Sequence, residues 1–256
     1  MSVNGDFYRY DSGQLLPITH AIADQLSVAD SFLVKDQQAI ALERHMKRFE
    51  RSVNLHELVD LSDYFEASRE LLREPGEWFP RFEYRVTQPK GQRLYLRIRP
   101  APERTETLTL ITSPEPDTRE NFAVKGPDLS LCQKLRRVAN LHGADESVLL
   151  SADGFIADGA LSSIVWLKDE VLFAPDDTTN WLPSITRELV FEIANQAGLE
   201  TETTRARPAD LAGAEVWSLS SLQGIRAATS WPGVDLVQPS RHLAFRKRLG
   251  MLSAKI

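Results

Sequence analysis

Lys125 is the residue of this chain with the clearest capacity for covalent chemistry, because a neutral lysine amine forms an imine with an aldehyde. It follows the apolar run Phe122-Ala123-Val124, which predicts a position at the end of a buried strand. The chain has eight lysines and 22 arginines, and burial shifts a lysine towards its neutral form whereas an arginine stays charged. The alternative is an ordinary surface lysine in a loop.

An acid and a helix start lie downstream of Lys125. Asp158 follows Phe155-Ile156-Ala157, a run that predicts a strand, and a carboxylate that ends a strand can face a cleft. The turn Ser184-Ile185-Thr186-Arg187 opens a predicted helix, whose first amides and hydroxyl groups suit a phosphate. The alternatives are a turn aspartate before Gly159 and a simple helix cap.

A lysine, an acid and a hydroxyl-bearing turn in this order suggest a site for pyridoxal phosphate (PLP). The lysine would hold the cofactor as a Schiff base, and the acid would pair with its ring nitrogen. Ser220-Ser221 before Gly224 offers a second hydroxyl-rich turn. Arg48, on a predicted helix, would suit a phosphate, and a surface arginine is the alternative. His45 lies on the apolar face of that helix, which favours a packed core histidine.

Arginines alternate with apolar residues over Arg93-Leu94-Tyr95-Leu96-Arg97-Ile98-Arg99. In a strand, this pattern places Arg93, Arg97, Arg99 and Tyr95 on one face. That face would present positive charge, which suits a carboxylate substrate, while the other face packs. A solvated outer face is the alternative that the pattern leaves open.

The composition is that of an ordinary globular protein, with 42% hydrophobic and 26% charged residues. The formal net charge of -6 argues against a nucleic-acid surface. Cys132 is the single cysteine, so an intrachain disulfide is excluded, and no Cys/His spacing predicts a metal site. Residues 1–6 show no secretory signal, and no stretch approaches the roughly 18 apolar residues of a membrane span. We therefore expect a cytoplasmic protein without a membrane partner.

The order of elements predicts an α+β fold with two mixed α/β domains. Helices are predicted over 39–49, 60–73, 129–141, 185–197 and 241–252. Strands are predicted over 31–35, 82–86, 93–99, 105–112, 147–150, 154–157, 163–167, 171–174 and 214–219. The polar, proline-rich segment 113–120 interrupts this pattern. The predicted organisation is a smaller domain over 1–114, a linker over 115–122 and a larger domain over 123–256.

The order and spacing of these motifs resemble the fold-type IV PLP enzymes, the class IV aminotransferase and 4-amino-4-deoxychorismate lyase family, over nearly the whole chain. Asp30-Ser31-Phe32-Leu33-Val34 and the segment His45–Ser52 resemble the family's opening strand and helix. The later motifs that fall in the family's order are Lys125, Ala144-Asp145-Glu146, Asp158, Ile185-Thr186-Arg187 and Ser221…Gly224-Ile225. The stretch from Lys125 to Trp166 aligns with the lyase branch without a gap.

The resemblance implies a PLP-dependent aminotransferase with the D-amino acid aminotransferase-like architecture of fold type IV. It would act through a Lys125 Schiff base on an amino acid or related amine, with an oxo acid as second substrate. Lys125 would form the internal aldimine and move a proton between the substrate's α-carbon and C4′ of the cofactor. Asp158 would pair with the pyridine nitrogen. The larger domain would carry most of the site, and the enzyme would be a homodimer.

The resemblance also assigns the groups around the two ends of the ligands. The phosphate of PLP would be held by Arg48, Ile185, Thr186, Ser221 and Leu222, the last four through the amides and turns of the backbone. Arg97 and Arg99 would bind a substrate carboxylate.

Three positions depart from the family pattern. Asp158 stands where glutamate is usual, Ser184 begins a turn that usually begins with glycine, and Ser163 stands where asparagine is usual. The resemblance leaves two other functions open. One is 4-amino-4-deoxychorismate lyase, which forms 4-aminobenzoate and pyruvate, and the other is a PLP-binding protein without turnover.

Overall fold

The computed structural model of the chain describes residues 5–19, 22 and 24–256. Residues 1–4, on which the expectation of no secretory signal partly rests, lie outside this range. The described residues divide into two compact units. The first consists of the residues up to Glu103 together with Val124–Pro127 and Leu252–Ile256, and the second consists of Arg104–Ala123 and Asp128–Met251.

In the described part of the chain, eight strands and two helices precede Arg104, where the second unit begins. The strands are β1 Asp6–Asp11, β2 Gln14–Ile18, β3 Val28–Ser31, β4 Val34–Lys35, β5 Gln38–Ile40, β6 Glu77–Trp78, β7 Arg81–Tyr84 and β8 Leu94–Ile98. The helices are α1 Leu42–Val53 and α2 Ser62–Leu72.

The elements of the second unit follow, and the last strand returns to the first unit. The strands are β9 Thr107–Thr112, β10 Glu146–Leu150, β11 Ile156–Gly159, β12 Ser163–Lys168, β13 Val171–Ala174, β14 Glu200–Thr203, β15 Glu215–Ser220, β16 Gly224–Ser230 and, in the first unit, β17 Ser253–Lys255. The helices are α3 Leu129–Leu141, α4 Ile185–Gln196 and α5 His242–Gly250, with a short 3-10 helix over Pro208–Leu211.

The first unit is built on an antiparallel sheet of order β2-β1-β8-β7-β3, with β3 at one edge. One face of this sheet is apolar because alternate residues of β7 and β8, including Phe82, Tyr84 and Leu96, point to the same side. Helix α1 packs on β3, and its Met46 and Phe49 join that core. A smaller sheet has the order β17-β5-β4-β6.

The second unit is built on one eight-stranded sheet of order β11-β10-β9-β16-β15-β12-β13-β14. The β9–β10 pair is parallel, and parallel neighbours need a long crossover, which here contains α3. Helix α3 packs on β10, and α4 packs on β15 and α5. Strand β11, which carries Asp158, and the start of α4 therefore belong to the same packed unit.

The predicted mixed α/β architecture is confirmed by these elements. Helix α3 and strand β13 have the predicted bounds. The helix predicted over 39–49 begins later, because residues 38–40 pair with their neighbours as β5. The sequence indicated a linker over 115–122, whereas the chain divides after Glu103, because β9 pairs within the second sheet.

Among the residues that the structure describes, no helix has the length and apolar character needed to traverse a membrane. The same residues contain no group of three or more histidine, cysteine, aspartate or glutamate side chains able to hold a metal ion.

Candidate active site

Lys125 lies in a loop that covers the edge of a sheet in the first unit. Residues 122–128 form turns and bends before α3, so the predicted strand that ends at Lys125 is wrong. The backbone anchors the loop instead, because the Ala29 N–H donates to the Lys125 carbonyl over 2.6 Å. Ala29 belongs to β3, the edge strand, so this bond gives a partner to a strand edge.

Gly126 allows this loop to approach β3 closely. Its φ is +145°, and a Cβ at this position would lie 2.9 Å from Val28 Cα and 3.0 Å from Ala29 N. Any other residue would therefore collide with strand backbone, which cannot turn away as a flexible side chain can. On the other side of Lys125, Val124 packs against the core of the first unit. Both neighbours of the lysine are thus held in place.

Strand β3 also places a buried acid beside α1. Asp30 is fully buried and accepts Arg48 Nε at 2.7 Å and Arg48 Nη2 at 2.9 Å, and His45 Nδ1 lies 2.7 Å from the same carboxylate. His45 and Arg48 are three residues apart on the helix, so both reach one carboxylate. Burial alone would raise the pKa of Asp30, but the Arg48 guanidinium and His45 hold that pKa well below its usual range.

His45 is fully packed, as its place on the apolar face of α1 predicted. Burial lowers its pKa against the opposing pull of Asp30, and the charges of Arg48 and Lys125 lower it further. The imidazole is therefore neutral near pH 7, and its Nδ1–H donates to Asp30, since a carboxylate offers only acceptors. Arg48 and Lys125, which the resemblance assigned to one site, thus both lower the pKa of His45 within the first unit.

The predicted arginine face of β8 continues onto β7, its antiparallel neighbour in the sheet. Arg97 pairs across the sheet with Arg81, and Tyr95 pairs with Glu83. Glu83 is fully buried and accepts Arg81 Nε at 2.7 Å and Arg85 Nη2 at 2.7 Å. Arg93, Arg97 and Arg99 are half-buried and Tyr95 is buried, so this face is partly covered and both interpretations of it stay open.

Positive charge exceeds negative charge on this face. Burial lowers the pKa of Arg97, and the charge of Arg81 adds to the effect. Burial, with the charges of Arg81 and Arg97, lowers the pKa of Arg99 to about 10. Because these cations repel one another in a partly buried setting, an anion on this face would be stabilised.

Asp158 lies inside β11 and is 3% exposed, so the alternative of a turn aspartate is wrong. Its Oδ2 accepts the Leu182 N–H at 3.0 Å and lies 3.5 Å from Arg119 Nη1. No described residue donates a hydrogen bond to its Oδ1. Burial raises the pKa of Asp158 to about 6, and Arg119, the Leu182 amide and Arg187 limit the rise.

Sequence reasoning missed Arg119. Its Nε donates to Asp117 Oδ1 at 3.0 Å, and its Nη2 donates to Asp117 Oδ2 at 2.9 Å and to the Asn180 carbonyl. This leaves Nη1 as the guanidinium nitrogen beside Asp158. No signal marked it in the sequence, because the polar, proline-rich segment around it predicts a linker and Asp158 lies far along the chain.

Helix α4 begins at Ile185, as the sequence predicted. Ser184 is its cap, since Ser184 Oγ accepts the Arg187 amide at 3.2 Å and the Ser184 carbonyl accepts the Glu188 amide at 3.0 Å. The amides of Ile185 and Thr186 donate to no residue that the structure describes, although both residues are buried. Such amides, at the positive end of a helix dipole, suit an anion.

Asp158 and the start of α4 form one local group. The Asp158 carboxylate binds the amide of Leu182, which precedes Ile185 by three residues. Three residues of chain span at most about 10 Å. An acceptor oxygen and a helix end whose amides suit an anion therefore lie within a region the size of a small cofactor.

The second hydroxyl-rich turn joins β15 to β16. Ser220 pairs with Gly224 across the turn, and the Gln223 amide donates to Ser220 Oγ at 3.1 Å. Gly224 has a φ of +68°, a conformation that glycine adopts without strain. Ser221 and Leu222 thus lie in a short hairpin turn closed by its own hydrogen bonds. The turn follows β15, a strand that packs against α4.

A family model for amino-transferase class IV matches residues 27–231. The chain belongs to the class IV aminotransferase family. Among curated class IV relatives, the branched-chain-amino-acid aminotransferase of Escherichia coli (strain K12) is 31% identical over 99 residues, 38% of this chain and 32% of that protein. The aminodeoxychorismate lyase of Bacillus subtilis (strain 168) is 33% identical over 78 residues, 30% of this chain and 27% of that protein. The matches thus span about a third of these relatives' length.

Solved structures show the same class IV fold. A hypothetical aminotransferase from Mycobacterium tuberculosis, in its PLP-bound form, has a TM-score of 0.83 at 22% identity, over 96% of this chain and 98% of that chain. A fold IV-transaminase from Curtobacterium pusillum has a TM-score of 0.80 at 18% identity, over 97% of this chain and 97% of that chain. The predicted fold type IV architecture is therefore confirmed.

Proposed function

We propose that this class IV aminotransferase moves an amino group from an amino acid or related amine to an oxo acid, with PLP as its cofactor. The observation that carries the proposal is the surroundings of Asp158. One oxygen of this buried carboxylate is held by the protein, while no described residue donates to the other, and two unused amides begin the nearby helix α4. An acceptor for a ring nitrogen and a site for a phosphate match the two ends of PLP.

The donor set fits PLP. Asp158 Oδ1 would accept the N–H of the pyridine ring, and the amides of Ile185 and Thr186 would bind the phosphate. Arg48 and the turn Ser221-Leu222 would add to the phosphate site. When bound, PLP supplies an electron sink that stabilises negative charge on the α-carbon of the amino substrate.

Lys125 would attach PLP covalently through its Nζ and would move a proton between the substrate's α-carbon and C4′ of the cofactor. The Ala29 hydrogen bond and Gly126 fix the backbone around Lys125, so its side chain alone has to move during the proton transfer. His45 stays neutral beside Asp30 and therefore adds no second positive charge near the lysine.

Arg97 and Arg99 would bind the carboxylate of the substrate. The support is the charge on their sheet face, where burial first and the charge of Arg81 second lower the pKa values of Arg97 and Arg99. A bound carboxylate would offset this charge, and an arginine can bind it through two hydrogen bonds.

Reconstitution tests the central assignment. We expect cofactor-free protein mixed with PLP to turn yellow, and borohydride to fix a phosphopyridoxyl group on the peptide that contains Lys125. The Lys125→Ala variant should take up no such group, whereas Lys134→Ala, at an exposed position of α3, should behave like the parent. A protein that stays colourless with PLP would contradict the proposal.

A panel of amino donors with 2-oxoglutarate tests turnover. An active donor should yield its oxo acid. Asp158→Asn should lower kcat and leave KM nearly unchanged, because the acid acts on the cofactor rather than on the free substrate. Bound PLP with no product from any donor, and no spectral change with any amine, would support the alternative of a PLP-binding protein without turnover.

The second candidate function is 4-amino-4-deoxychorismate lyase, favoured by the match to the Bacillus subtilis aminodeoxychorismate lyase. An aminotransferase needs an oxo acid to regenerate its cofactor, whereas a lyase does not. Incubation with aminodeoxychorismate alone should release 4-aminobenzoate and pyruvate if the lyase is correct. No release, with transfer from an amino acid to 2-oxoglutarate, would support the aminotransferase.

Family membership also leads us to propose a cytoplasmic homodimer. Light scattering on the purified protein should give the mass of two chains. The mass of a single chain over the micromolar concentration range would contradict this assembly.

A further inference from the structure

Three buried charges lie side by side in the second unit: Asp117, Arg119 and Asp158. Their side chains are 1%, 5% and 4% exposed. We propose that Arg119 is a positioning residue for Asp158, which holds the Oδ2 side of that carboxylate so that Oδ1 faces the ring nitrogen of PLP. The inference rests on the proposed function and adds a residue to its site.

Arg119 restricts the orientation of the Asp158 carboxylate. An aspartate is one methylene shorter than the usual glutamate, so its reach is set by the backbone of β11. Two donors lie beside Asp158 Oδ2, the Leu182 amide at 3.0 Å and Arg119 Nη1 at 3.5 Å. With one oxygen held on two sides, the carboxylate has little freedom to rotate, and the other oxygen keeps a single direction.

Arg119 is itself rigidly held, which a positioning role requires. Its guanidinium forms a bidentate pair with Asp117, with Nε 3.0 Å from Oδ1 and Nη2 2.9 Å from Oδ2. The Asn180 carbonyl accepts from the same Nη2. A guanidinium fixed by three acceptors presents its remaining nitrogen in one place.

Asp117 sets the charge balance around Arg119 and Asp158. If Arg119 faced Asp158 alone, the pair would be neutral and would attract a protonated pyridine ring only weakly. Asp117 adds a second negative charge, so the three side chains together carry one net negative charge. In a buried setting, that excess favours a cationic ring. Asp117 therefore keeps the site anionic while Arg119 orients it.

Other ionisable groups near this triad leave that balance unchanged. Arg187 acts on Asp158, but its guanidinium lies 3.9 Å from the Trp181 ring centroid, and Asp177 acts on Arg187 in turn. The Cys132 thiol of α3 acts on Arg119. With Arg187 and the exposed Asp177 included and the thiol protonated, the formal charges still sum to minus one.

Loss of the Arg119 charge and loss of the Asp117 charge should shift the pKa of Asp158 in opposite directions. Burial raises the pKa of Asp158 to about 6, and Arg119 limits the rise. Removing the Arg119 charge should therefore raise the midpoint further, by about one pH unit or more, a tenfold change in proton affinity. Removing the Asp117 charge should lower the midpoint, because Arg119 is then neutralised less. A purely structural role for Arg119 would not produce this reversal.

The test is a carboxyl-carbon NMR titration of the full-length, cofactor-free protein, with the Asp158 signal assigned by its loss in Asp158→Asn. We expect a midpoint near 6 in the parent, a higher one in Arg119→Gln, a smaller rise in Arg119→Lys and a lower one in Asp117→Asn. Arg205→Gln, at an exposed arginine paired with Asp153, is the matched control and should leave the midpoint unchanged. If Arg119→Gln does not fold, Arg119→Lys and Asp117→Asn decide. Equal midpoints in parent and variants would overturn the inference.

PLP affinity supplies the second measurement. Arg119→Gln should weaken PLP binding about tenfold in the parent and less than twofold in Asp158→Asn, because Arg119 then has no carboxylate to orient. Equal losses in both backgrounds would overturn the inference. Failure of the parent to bind PLP would overturn only the proposed function, because the NMR midpoints are measured without cofactor.

Discussion

Two buried carboxylates, Asp30 in the first unit and Asp158 in the second, have pKa values displaced in opposite directions. Asp30 contacts Arg48 and His45 at 2.7–2.9 Å, and these contacts outweigh the cost of burial. Asp158 has its nearest cation at 3.5 Å, shared with another acid, so burial dominates. Direct charge-assisted bonds thus make Asp30 a fixed structural anion, whereas Asp158 keeps the capacity to interact with a further cation.

The raised pKa of Asp158 predicts a pH dependence of stability. The folded-state pKa of about 6 exceeds the ordinary aspartate value of 3.8, so the folded chain binds the extra proton and loses stability as pH rises between these values. Between pH 4.5 and pH 7.5, the parent should lose about 1–3 kcal/mol of unfolding free energy through Asp158, and Asp158→Asn should not show this loss. Urea unfolding without PLP measures it. Asp153→Asn, at an exposed position, should follow the parent, and a parallel profile for Asp158→Asn would contradict the prediction.

Asp30 should have the opposite signature. Its folded-state pKa is depressed, so its stabilising contribution is present above about pH 4 and is lost as pH falls. Asp30→Asn leaves the Arg48 charge without its partner and should cost about 3–5 kcal/mol at pH 7. Chemical denaturation measures the loss. Asp11→Asn removes a partly exposed acid 3.7 Å from Arg9 and should cost less than about 1 kcal/mol. A similar loss in both variants would show that Asp30 is not buried as described.

At the scale of elements, the loop that carries Lys125 depends on an edge strand. The loop has no regular secondary structure, and its position follows from the bond to Ala29 and the absence of a side chain at Gly126. Neither contact leaves a periodic trace in the sequence. The lysine was therefore identified by its order among motifs, while its predicted position at a strand end was wrong.

Gly126→Ala tests this anchoring. The added methyl group would lie 2.9 Å from Val28 Cα and should push the loop away from β3, at a cost of about 1–3 kcal/mol. The displaced Lys125 should take up less PLP at a fixed concentration. Gly91→Ala is the control, since Gly91 also has a positive φ of +81° but has no atom within 4 Å of the added group. Equal effects of the two variants on PLP uptake would contradict an anchoring role for Gly126.

Elements with a strong local pattern were predicted well. Helix α3 and strand β13 have the predicted bounds because their apolar spacing agrees with how they pack. The β1–β2 hairpin was missed, although Ser12-Gly13 joins its strands, because β1 is only half buried and its pairing with β8 is long-range. Strand pairing of this kind depends on partners that a local window does not contain.

Across the whole molecule, the proposed site residues could be chosen from their order in the sequence, whereas their side-chain partners could not. A local motif marks each of Lys125, Asp158 and the start of α4, and the family resemblance links these motifs by their order. Arg119 has no such context, because its role depends on Asp158, which is distant in sequence. Arg48 was predicted as a phosphate ligand, which stays a prediction, and the structure shows it bound to Asp30. Side-chain partners of this kind emerge only when the chain is folded.

Binding of PLP should stabilise the whole folded chain, because the proposed ligand groups exist only in the folded state. At a PLP concentration one hundred times its Kd, mass action adds about 2.7 kcal/mol, which should raise Tm by roughly 5–10 °C for a chain of this size. Lys125→Ala should lose most of this increase, since only the non-covalent contacts remain. Lys134→Ala should keep it, because Lys134 is exposed on α3. Differential scanning calorimetry over a PLP titration measures the shift, and an equal rise in parent and Lys125→Ala would show that PLP binds without the lysine.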